Sequence, residues 1–190
     1  MVVLLVLLGI VVLVLIYAVA IYNNLVLLKN NAAQAWANID VLLKQRHDEL
    51  PKLIETCKQY MGYEKDVLEK VAQARSMVSQ ARQASDVGAL NKAENQLRIG
   101  LGNLFAVAEN YPELRADDNF QFLRNRISQL EAQIADRREF YNDTVNINNT
   151  RIEQFPDGIL ARALNFRPRK LLEFDHAELA DVDVKSAFNS

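Results

Sequence analysis

Few residues in this chain have types and spacings that could do chemistry. The 190 residues include two histidines, His47 and His176, and one cysteine, Cys57. A di-iron helical bundle needs a Glu-x-x-His pair on each of two core helices. Only Glu173 and His176 have that spacing, and they lie near the end of the chain, outside any periodic apolar pattern. The sequence therefore predicts no metal site and no cofactor.

Cys57 is the one candidate nucleophile. A reactive thiol needs an exposed, electropositive setting and a basic partner, whereas Cys57 falls on an apolar helix face and His47 lies ten residues away, off that face. A small core residue is the favoured interpretation. The chain also has no glycine-rich phosphate loop and no Gly-x-Ser-x-Gly turn. We expect a protein that is not an enzyme, with an unrecognised hydrolase as the remaining catalytic alternative.

Four charged residues interrupt otherwise apolar helix faces: Arg46, Glu64, Glu94 and Arg137. Two of each sign suggest pairing, and solvated edges of the apolar faces are the alternative. If the chain reverses near Glu113 into an antiparallel hairpin, the positions of Glu94 and Arg137 along the helix axes differ by only about 7.5 Å. We predict that these two are at least partly buried and interact across helices.

Asparagines cluster near the end of the last long helical pattern. Asparagine is unfavourable inside a helix because its side chain competes for backbone groups. Several within two turns predict hydrogen bonds to another helix or a partner, or else a solvent-facing helix end. The residues concerned are Asn142, Asn146, Asn148 and Asn149.

These residues are carried by a helical sequence. With six glycines and four prolines in the chain, apolar residues recur every three or four positions. The pattern predicts helices at 24–47, 49–83, 86–110 and 117–154, with a short helical turn at 159–164. Ser85-Asp86 is a helix stop and cap, and Asp117 or Asp118 can cap the helix that carries Phe120. At Pro51, a fold-back at Asp48 is favoured over one kinked helix.

The N-terminal segment predicts a membrane anchor. Met1–Leu28 carries no charged side chain, and Val2–Tyr22 would span roughly 32 Å as a helix. A signal peptide cleaved at Ala18-Val19-Ala20 and a buried core helix are the alternatives. Lys29 and Lys44 follow the span, which favours a cytoplasmic soluble domain. The anchor residues singled out are Val2, Leu8, Leu15, Tyr17 and Tyr22.

Three domains follow from these patterns: an anchor at 1–22, a helical bundle at 23–166 and an extended tail at 167–190. The fold class is all-α, a transmembrane helix followed by an antiparallel up-and-down bundle of about four long helices. A net charge of −2 argues against nucleic acid as a partner. The basic cluster Arg167-Pro168-Arg169-Lys170 could touch lipid headgroups, or be a solvated loop.

From about residue 20 to residue 166, the chain resembles the LemA family of bacterial membrane-anchored proteins. Its motifs include Ala35-Trp36, Ile39-Asp40, Ala108-Glu109 with Tyr111-Pro112, Tyr141-Asn142 and Phe155-Pro156. The resemblance implies one span in the bacterial inner membrane and a bundle of about four helices, which supports the fold-back. One branch of the family includes magnetosome-membrane proteins. The family has no established enzymatic activity, and a scaffolding role is implied.

We therefore expect a membrane-anchored scaffold that self-associates, because the apolar stripe at 25–28 and Trp36 needs more cover than one chain provides. An adaptor for a membrane protease or a signalling partner is the alternative. The expected partners are the lipid bilayer, further copies of the chain and another membrane protein. Residues expected to pack or interact are Trp36, Glu64, Glu94, Glu109, Tyr111, Arg137, Tyr141 and Asn142.

Overall fold

The computed structural model describes residues 1–84 and 86–173. These residues form helices and no strand, which confirms the all-α prediction. They divide into two compact units: unit 1 comprises Met1–Arg46 and Ser128–Leu171, and unit 2 comprises His47–Ile127 and the chain from Leu172. The helices are α1 Val2–Tyr60, α2 Lys65–Gln83, α3 Val87–Ala108, α4 Pro112–Ala116, α5 Asp118–Glu153 and α6 Asp157–Ala163.

The predicted fold-back at Asp48 is wrong, because α1 continues through Pro51 to Tyr60. Proline has no N–H with which to bond the carbonyl four residues earlier, here that of His47. The side chain of Arg75 supplies the missing donor, since its Nε lies 3.0 Å from the His47 carbonyl oxygen. The chain turns at residues 61–64 instead, and the predicted helix at 49–83 is therefore divided between the end of α1 and α2.

In unit 2, local sequence signals set the ends of the helices. Asp86 caps α3 as predicted, because its Oδ1 accepts hydrogen bonds from the backbone of Gly88 and Ala89 at 3.0 and 3.1 Å. Asp117 accepts from the backbone N–H of Phe120 at 2.8 Å, which confirms the predicted cap of α5. The helices α2 and α3 pack directly on one another. A β-carbon placed on Gly100 would lie 3.4 Å from Val71.

In unit 1, the first part of α1 runs antiparallel to the last part of α5. Arg46 pairs with Glu131, and Trp36 lies against Tyr141. Nearer the N-terminus, Ile21 and Leu25 share a buried cluster with Ile152 of α5 and Ala161 of α6. Contacts made by progressively earlier residues of α1 thus fall on progressively later residues of α5, with α6 packed near residues 21–25.

The N-terminal part of α1 is not covered by the part of the chain that the structure describes. Among the described residues, α1 is the one helix long and apolar enough to cross a membrane, and its most apolar stretch is wholly unburied. Val2, Leu8, Leu15 and Tyr17 are each more than half exposed. Such a surface needs an apolar environment, because burying it removes an unfavourable contact with water.

Candidate functional site

The centre of unit 1 is an aromatic contact between α1 and α5. The rings of Trp36 and Tyr141 lie 5.6 Å apart between centroids. Tyr141 is buried, and burial raises the pKa of its phenol. Its hydroxyl donates to the carbonyl oxygen of Lys170 at 3.1 Å. Two residues predicted to pack are therefore in contact, and one of them also holds the chain that follows α6.

A buried ion pair lies deeper in the same interface. Arg46 is 1% exposed, and its Nη1 lies 2.6 Å from Oε1 of Glu131, which is partly exposed. A guanidinium taken out of water is costly unless a carboxylate faces it. Arg46 is therefore paired with Glu131, which is not one of the other three charges that interrupt the apolar helix faces.

A groove runs along one side of unit 1 where α1 and α5 meet. Its volume is about 490 Å³, and Phe140 and Ile147 of its α5 wall are each more than half exposed. On α1 a row of exposed residues follows the three-and-four spacing of one helix face. This amide row consists of Leu27, Asn31, Gln34, Asn38 and Val41.

The chain after α5 folds back onto unit 1, and we call residues 155–171 the collar. Arg151 forms an ion pair with Asp157, which ties α6 to α5. Two residues after the end of α6, Asn165 has a φ of 59°. Its N–H bonds the carbonyl of Arg162, and the N–H of Phe166 bonds the carbonyl of Ala161. These are the two bonds of a Schellman C-cap, with asparagine at its left-handed position.

The asparagine cluster supplies the second attachment of the collar. The side chain of Asn149 exchanges two hydrogen bonds with the backbone of Arg169, both of 2.9 Å. Asn148 is buried and donates to Asn149 at 3.2 Å. The sequence leaves open hydrogen bonds to another helix or a partner, or a solvent-facing helix end. The structure shows hydrogen bonds from this cluster, and their partner is the backbone of the collar.

The collar lies against the α1 residues that follow the apolar stretch. The rings of Phe166 and Tyr22 meet edge to face with centroids 6.4 Å apart. The ammonium of Lys29 lies 5.9 Å from the centroid of Phe166, and Arg169 donates to the carbonyl oxygen of Lys29 at 3.4 Å. The start of the predicted extended tail is thus fixed to α1, whereas residues 174–190 of that tail lie outside the described residues.

Unit 2 holds two hydrogen bonds between tyrosines and carboxylates. The Tyr111 hydroxyl donates to Glu64 at 3.2 Å, and the Tyr60 hydroxyl donates to Asp117 at 3.0 Å. The hydrogen bond to Asp117 is the main cause of a raised Tyr60 pKa. Desolvation, followed by the charge of Glu64, raises the pKa of Tyr111. Two residues predicted to interact, Glu64 and Tyr111, are therefore brought together.

Neither Cys57 nor His47 is placed for nucleophilic catalysis. Cys57 is fully buried, and burial raises its thiol pKa to about 12, so the predicted core role is confirmed. The Nε2 atom of His47 lies 2.8 Å from an Nη atom of Arg75. Because the guanidinium can only donate, this contact makes the imidazole nitrogen an acceptor.

The remaining predicted interaction residues differ in their burial. Glu94 is 5% exposed, as predicted, whereas Arg137 is exposed and its predicted burial is wrong. Arg137 lies at the rim of the α1/α5 groove, where its charge stays in water. Glu109 is exposed and ends α3, and Asn142 is half-buried. Glu94 and Arg137 belong to different units, and their mutual interaction stays a prediction.

Within residues 1–84 and 86–173, no group of three or more His, Cys, Asp or Glu side chains could hold a metal ion. The Glu173/His176 pair considered above falls partly outside the described residues, because His176 belongs to 174–190.

These features define an all-α protein with one helix suited to crossing a membrane and a helical domain that continues from it. Comparison with known proteins makes this class specific. The model of the LemA family matches residues 35–186, and the chain belongs to that family. The match extends beyond residue 166, where the resemblance noted in the sequence ended.

The chain is similar to three named proteins of this kind. Magnetosome protein MamQ 2 of Paramagnetospirillum magneticum is 23% identical over 169 residues, which cover 77% of this chain and 62% of that protein. Magnetosome protein MamQ of Magnetospirillum gryphiswaldense is 22% identical over 182 residues, or 84% and 66% of the two chains. Protein LemA of Metamycoplasma hominis is 26% identical over 169 residues, or 88% and 75%.

The chain thus spans less than two thirds of the MamQ proteins that it matches. The names of the family and of these relatives are not names of enzymes. Together with the apolar helix, they support a membrane-associated protein of the LemA type.

Proposed function

We propose that this protein is a non-enzymatic scaffold, anchored in the membrane by residues 2–22, that assembles with further copies of itself through the groove between α1 and α5. The observation that carries the proposal is the amide row, which continues along α1 from the apolar segment into the part of α1 that packs on α5. We propose the inner membrane of a bacterium as its location, with the residues after the span on the cytoplasmic side, since Lys29 and Lys44 follow the span.

Retention of the anchor is supported by the burial of Ile21. Cleavage after Ala20 would leave a new α-ammonium group on Ile21, which is 5% exposed in a cluster with Leu25 and Ile152. A charged amine in an apolar cluster without a partner is strongly unfavourable. An uncleaved helix avoids this cost, because its amide is bonded within α1.

Self-association is supported by the chemistry of the amide row. A carboxamide is both donor and acceptor, so identical amides at one height on two parallel helices can bond each other. Polar residues in such positions fix the register and number of helices in coiled coils. Anchors in one bilayer hold copies parallel and at equal height, which is the arrangement that Asn31, Gln34 and Asn38 would need.

Self-association is expected from the sequence because residues 25–28 and Trp36 need cover, and the structure supplies part of that cover within one chain. Leu25 is fully buried by its own chain, and Trp36 is partly covered by Tyr141. The apolar surface that needs cover in unit 1 is therefore smaller than the sequence indicated. Along the groove it comprises Leu27 and Val41 at the ends of the amide row, together with Phe140 and Ile147.

Disulfide crosslinking in native membranes tests the proposal. A Gln34→Cys variant should form a dimer on oxidation, because its thiol lies in the amide row. The matched control is Ala33→Cys, since residue 33 is exposed at the same height but about 100° around the helix. The native Cys57 stays silent in both, because it is fully buried with a pKa of about 12.

Self-adducts from Gln34→Cys and few from Ala33→Cys would support assembly through the groove. Equal yields from both variants would contradict it, because they would indicate random collision of neighbours in the bilayer. An adduct of Gln34→Cys with one other protein, and none with itself, would favour the adaptor function instead.

A further inference from the structure

The collar is rich in basic residues and also has exposed apolar side chains. Residues 155–171 contain four basic residues and one acidic residue, and that acid, Asp157, is already paired with Arg151. Phe155 is 85% exposed, and Ile159 and Leu164 are each about half exposed. A segment that is basic and apolar at once, with its only carboxylate neutralised, is typical of a surface that meets anionic lipid.

The height of the collar relative to the apolar segment follows from its contacts with α1. Phe166 lies on Tyr22, and Arg169 reaches the carbonyl of Lys29. Tyr22 ends the apolar stretch, and Lys29 lies about 10 Å further along the helix. A headgroup layer is about 5–8 Å thick on each side of the hydrocarbon. Whatever packs between Tyr22 and Lys29 therefore lies within this layer or at its outer edge.

We infer that the collar is a binding surface for the headgroups of anionic phospholipids in the leaflet at the C-terminal end of the span. Arg167 and Lys170 are exposed and would contact phosphate oxygens, while Phe155 and Ile159 enter the boundary between headgroups and acyl chains. The amphipathic tyrosine and the cation of Lys29 suit the same depth. This inference rests on the membrane anchor of the proposed function, and it is independent of self-association.

The collar is fixed in this position by attachments that do not use the lipid. Gly158 allows α6 to approach α5 closely, because a β-carbon there would lie 3.1 Å from the carbonyl oxygen of Ile152. Asn149 holds the backbone of Arg169 through two hydrogen bonds. The charges of Arg167 and Lys170 are therefore displayed by a prearranged backbone, and binding would not have to order a flexible segment.

Quenching of tryptophan fluorescence by brominated lipids measures where the collar lies. The full chain is reconstituted in vesicles with Trp36→Phe as background, since Trp36 is the only tryptophan. Phe155→Trp reports the collar and Tyr17→Trp reports the anchor. Phe140→Trp is the matched control, because Phe140 is also exposed and belongs to unit 1. Its neighbour Tyr141 packs on Trp36, and Trp36 lies about 21 Å beyond Tyr22 along α1.

Phosphatidylcholine brominated near the carbonyl end of its chains should quench Phe155→Trp and leave Phe140→Trp unquenched. Quenching of Tyr17→Trp without Phe155→Trp would overturn the inference and leave the anchor standing. If Tyr17→Trp were also unquenched, the anchor itself would be wrong.

The preference for charge is the ratio of Phe155→Trp quenching by brominated phosphatidylglycerol to that by brominated phosphatidylcholine. We expect this ratio to exceed one and to fall with added salt. The double change Arg167→Gln and Lys170→Gln should lower it at least about twofold, because two of the positive charges that attract anionic headgroups are removed. Lys44→Gln, an exposed lysine of unit 1 away from the collar, should leave it unchanged. A ratio near one, or equal losses in both variants, would overturn the inference.

Discussion

Unit 1 and unit 2 are both helical, but their contacts span different distances along the sequence. In unit 1 the contacts join residues far apart in sequence: Arg46 with Glu131, Trp36 with Tyr141, and Arg169 with Lys29. In unit 2 the helices are consecutive and capped by nearby residues, such as Asp86 on α3, and the bond from Tyr60 to Asp117 spans fewer residues.

The difference separates what local chemistry decides from what tertiary structure decides. Cap and turn residues act within a few positions, so they can be recognised in the sequence without knowing which helices meet. The buried Arg46 is stabilised by Glu131, which α5 places opposite it. Unit 1 should therefore be sensitive to the loss of single distant partners, and unit 2 to changes in packing and caps.

The largest effect is expected from Glu131→Gln in unit 1. Removing this carboxylate takes away an ion-pair partner of the buried guanidinium of Arg46, which should lower the free energy of unfolding by up to about 3 kcal/mol. Thermal and denaturant unfolding in mild detergent measures the loss. Glu139→Gln on the same helix is the exposed control and should cost under about 0.5 kcal/mol. Similar losses of stability in both variants would show that the ion pair with Arg46 does not stabilise unit 1 more than an exposed charge does.

A somewhat smaller effect should follow from overpacking unit 2. Gly100→Leu drives a side chain into Val71, and overpacking of this kind costs about 1–3 kcal/mol. Gly102→Leu on the same helix meets no atom within 4 Å of its β-carbon and should be neutral or stabilising, because leucine favours helix more than glycine does. If the two variants unfolded at the same temperature, α2 and α3 would not pack as described.

Loss of the α3 cap should have a moderate effect. Asp86→Ala removes the acceptor for the N–H groups of Gly88 and Ala89 and should cost about 1 kcal/mol. Asp86→Asn keeps an acceptor oxygen at the same position and should retain most of the stability. An asparagine variant as unstable as the alanine variant would mean that the charge of Asp86, rather than its hydrogen bonds, matters.

The smallest effect concerns alkaline pH. Because the bond to Asp117 raises the pKa of Tyr60 in the folded state, its contribution to stability is complete below the unfolded value of about 10 and is lost as pH rises through the folded value. Tyr60→Phe should make the melting temperature fall less steeply above pH 10. Tyr63→Phe, a fully exposed tyrosine in the same turn, should not change the slope. Equal slopes in all three proteins would contradict this role for Tyr60.

Most of the fold can be derived from the sequence because nearby cap and turn residues determine where most helices end. The predicted helices at 86–110 and 117–154 differ from α3 and α5 by two residues at most. Pro51 misled the prediction for a physical reason. Whether a proline ends a helix depends on whether another group satisfies the carbonyl four residues earlier, and here Arg75 does so from 28 residues away.

The candidate site is less predictable than the fold. The asparagine cluster and the basic residues near 167–170 were visible in the sequence, but the hydrogen bonds that join Asn149 to Arg169 depend on how the chain returns after α6. In that return, Asn165 adopts a left-handed backbone conformation. An asparagine in the sequence predicts this only weakly, because asparagine occurs in many kinds of turn. The charge of Arg137 was equally ambiguous, because an apolar periodicity does not show which position lies at the rim of a groove.

The mass of the intact complex tests the central claim of self-assembly most directly. The full chain is extracted in a mild detergent by affinity purification and measured by native mass spectrometry beside a Gln34→Asp, Phe140→Asp variant. We expect the wild-type mass to be that of two or more chains and the variant to be a monomer, because like charges brought together in the α1/α5 groove would repel each other. A monomeric wild type, or a complex unaffected by the two charges, would contradict assembly through this groove.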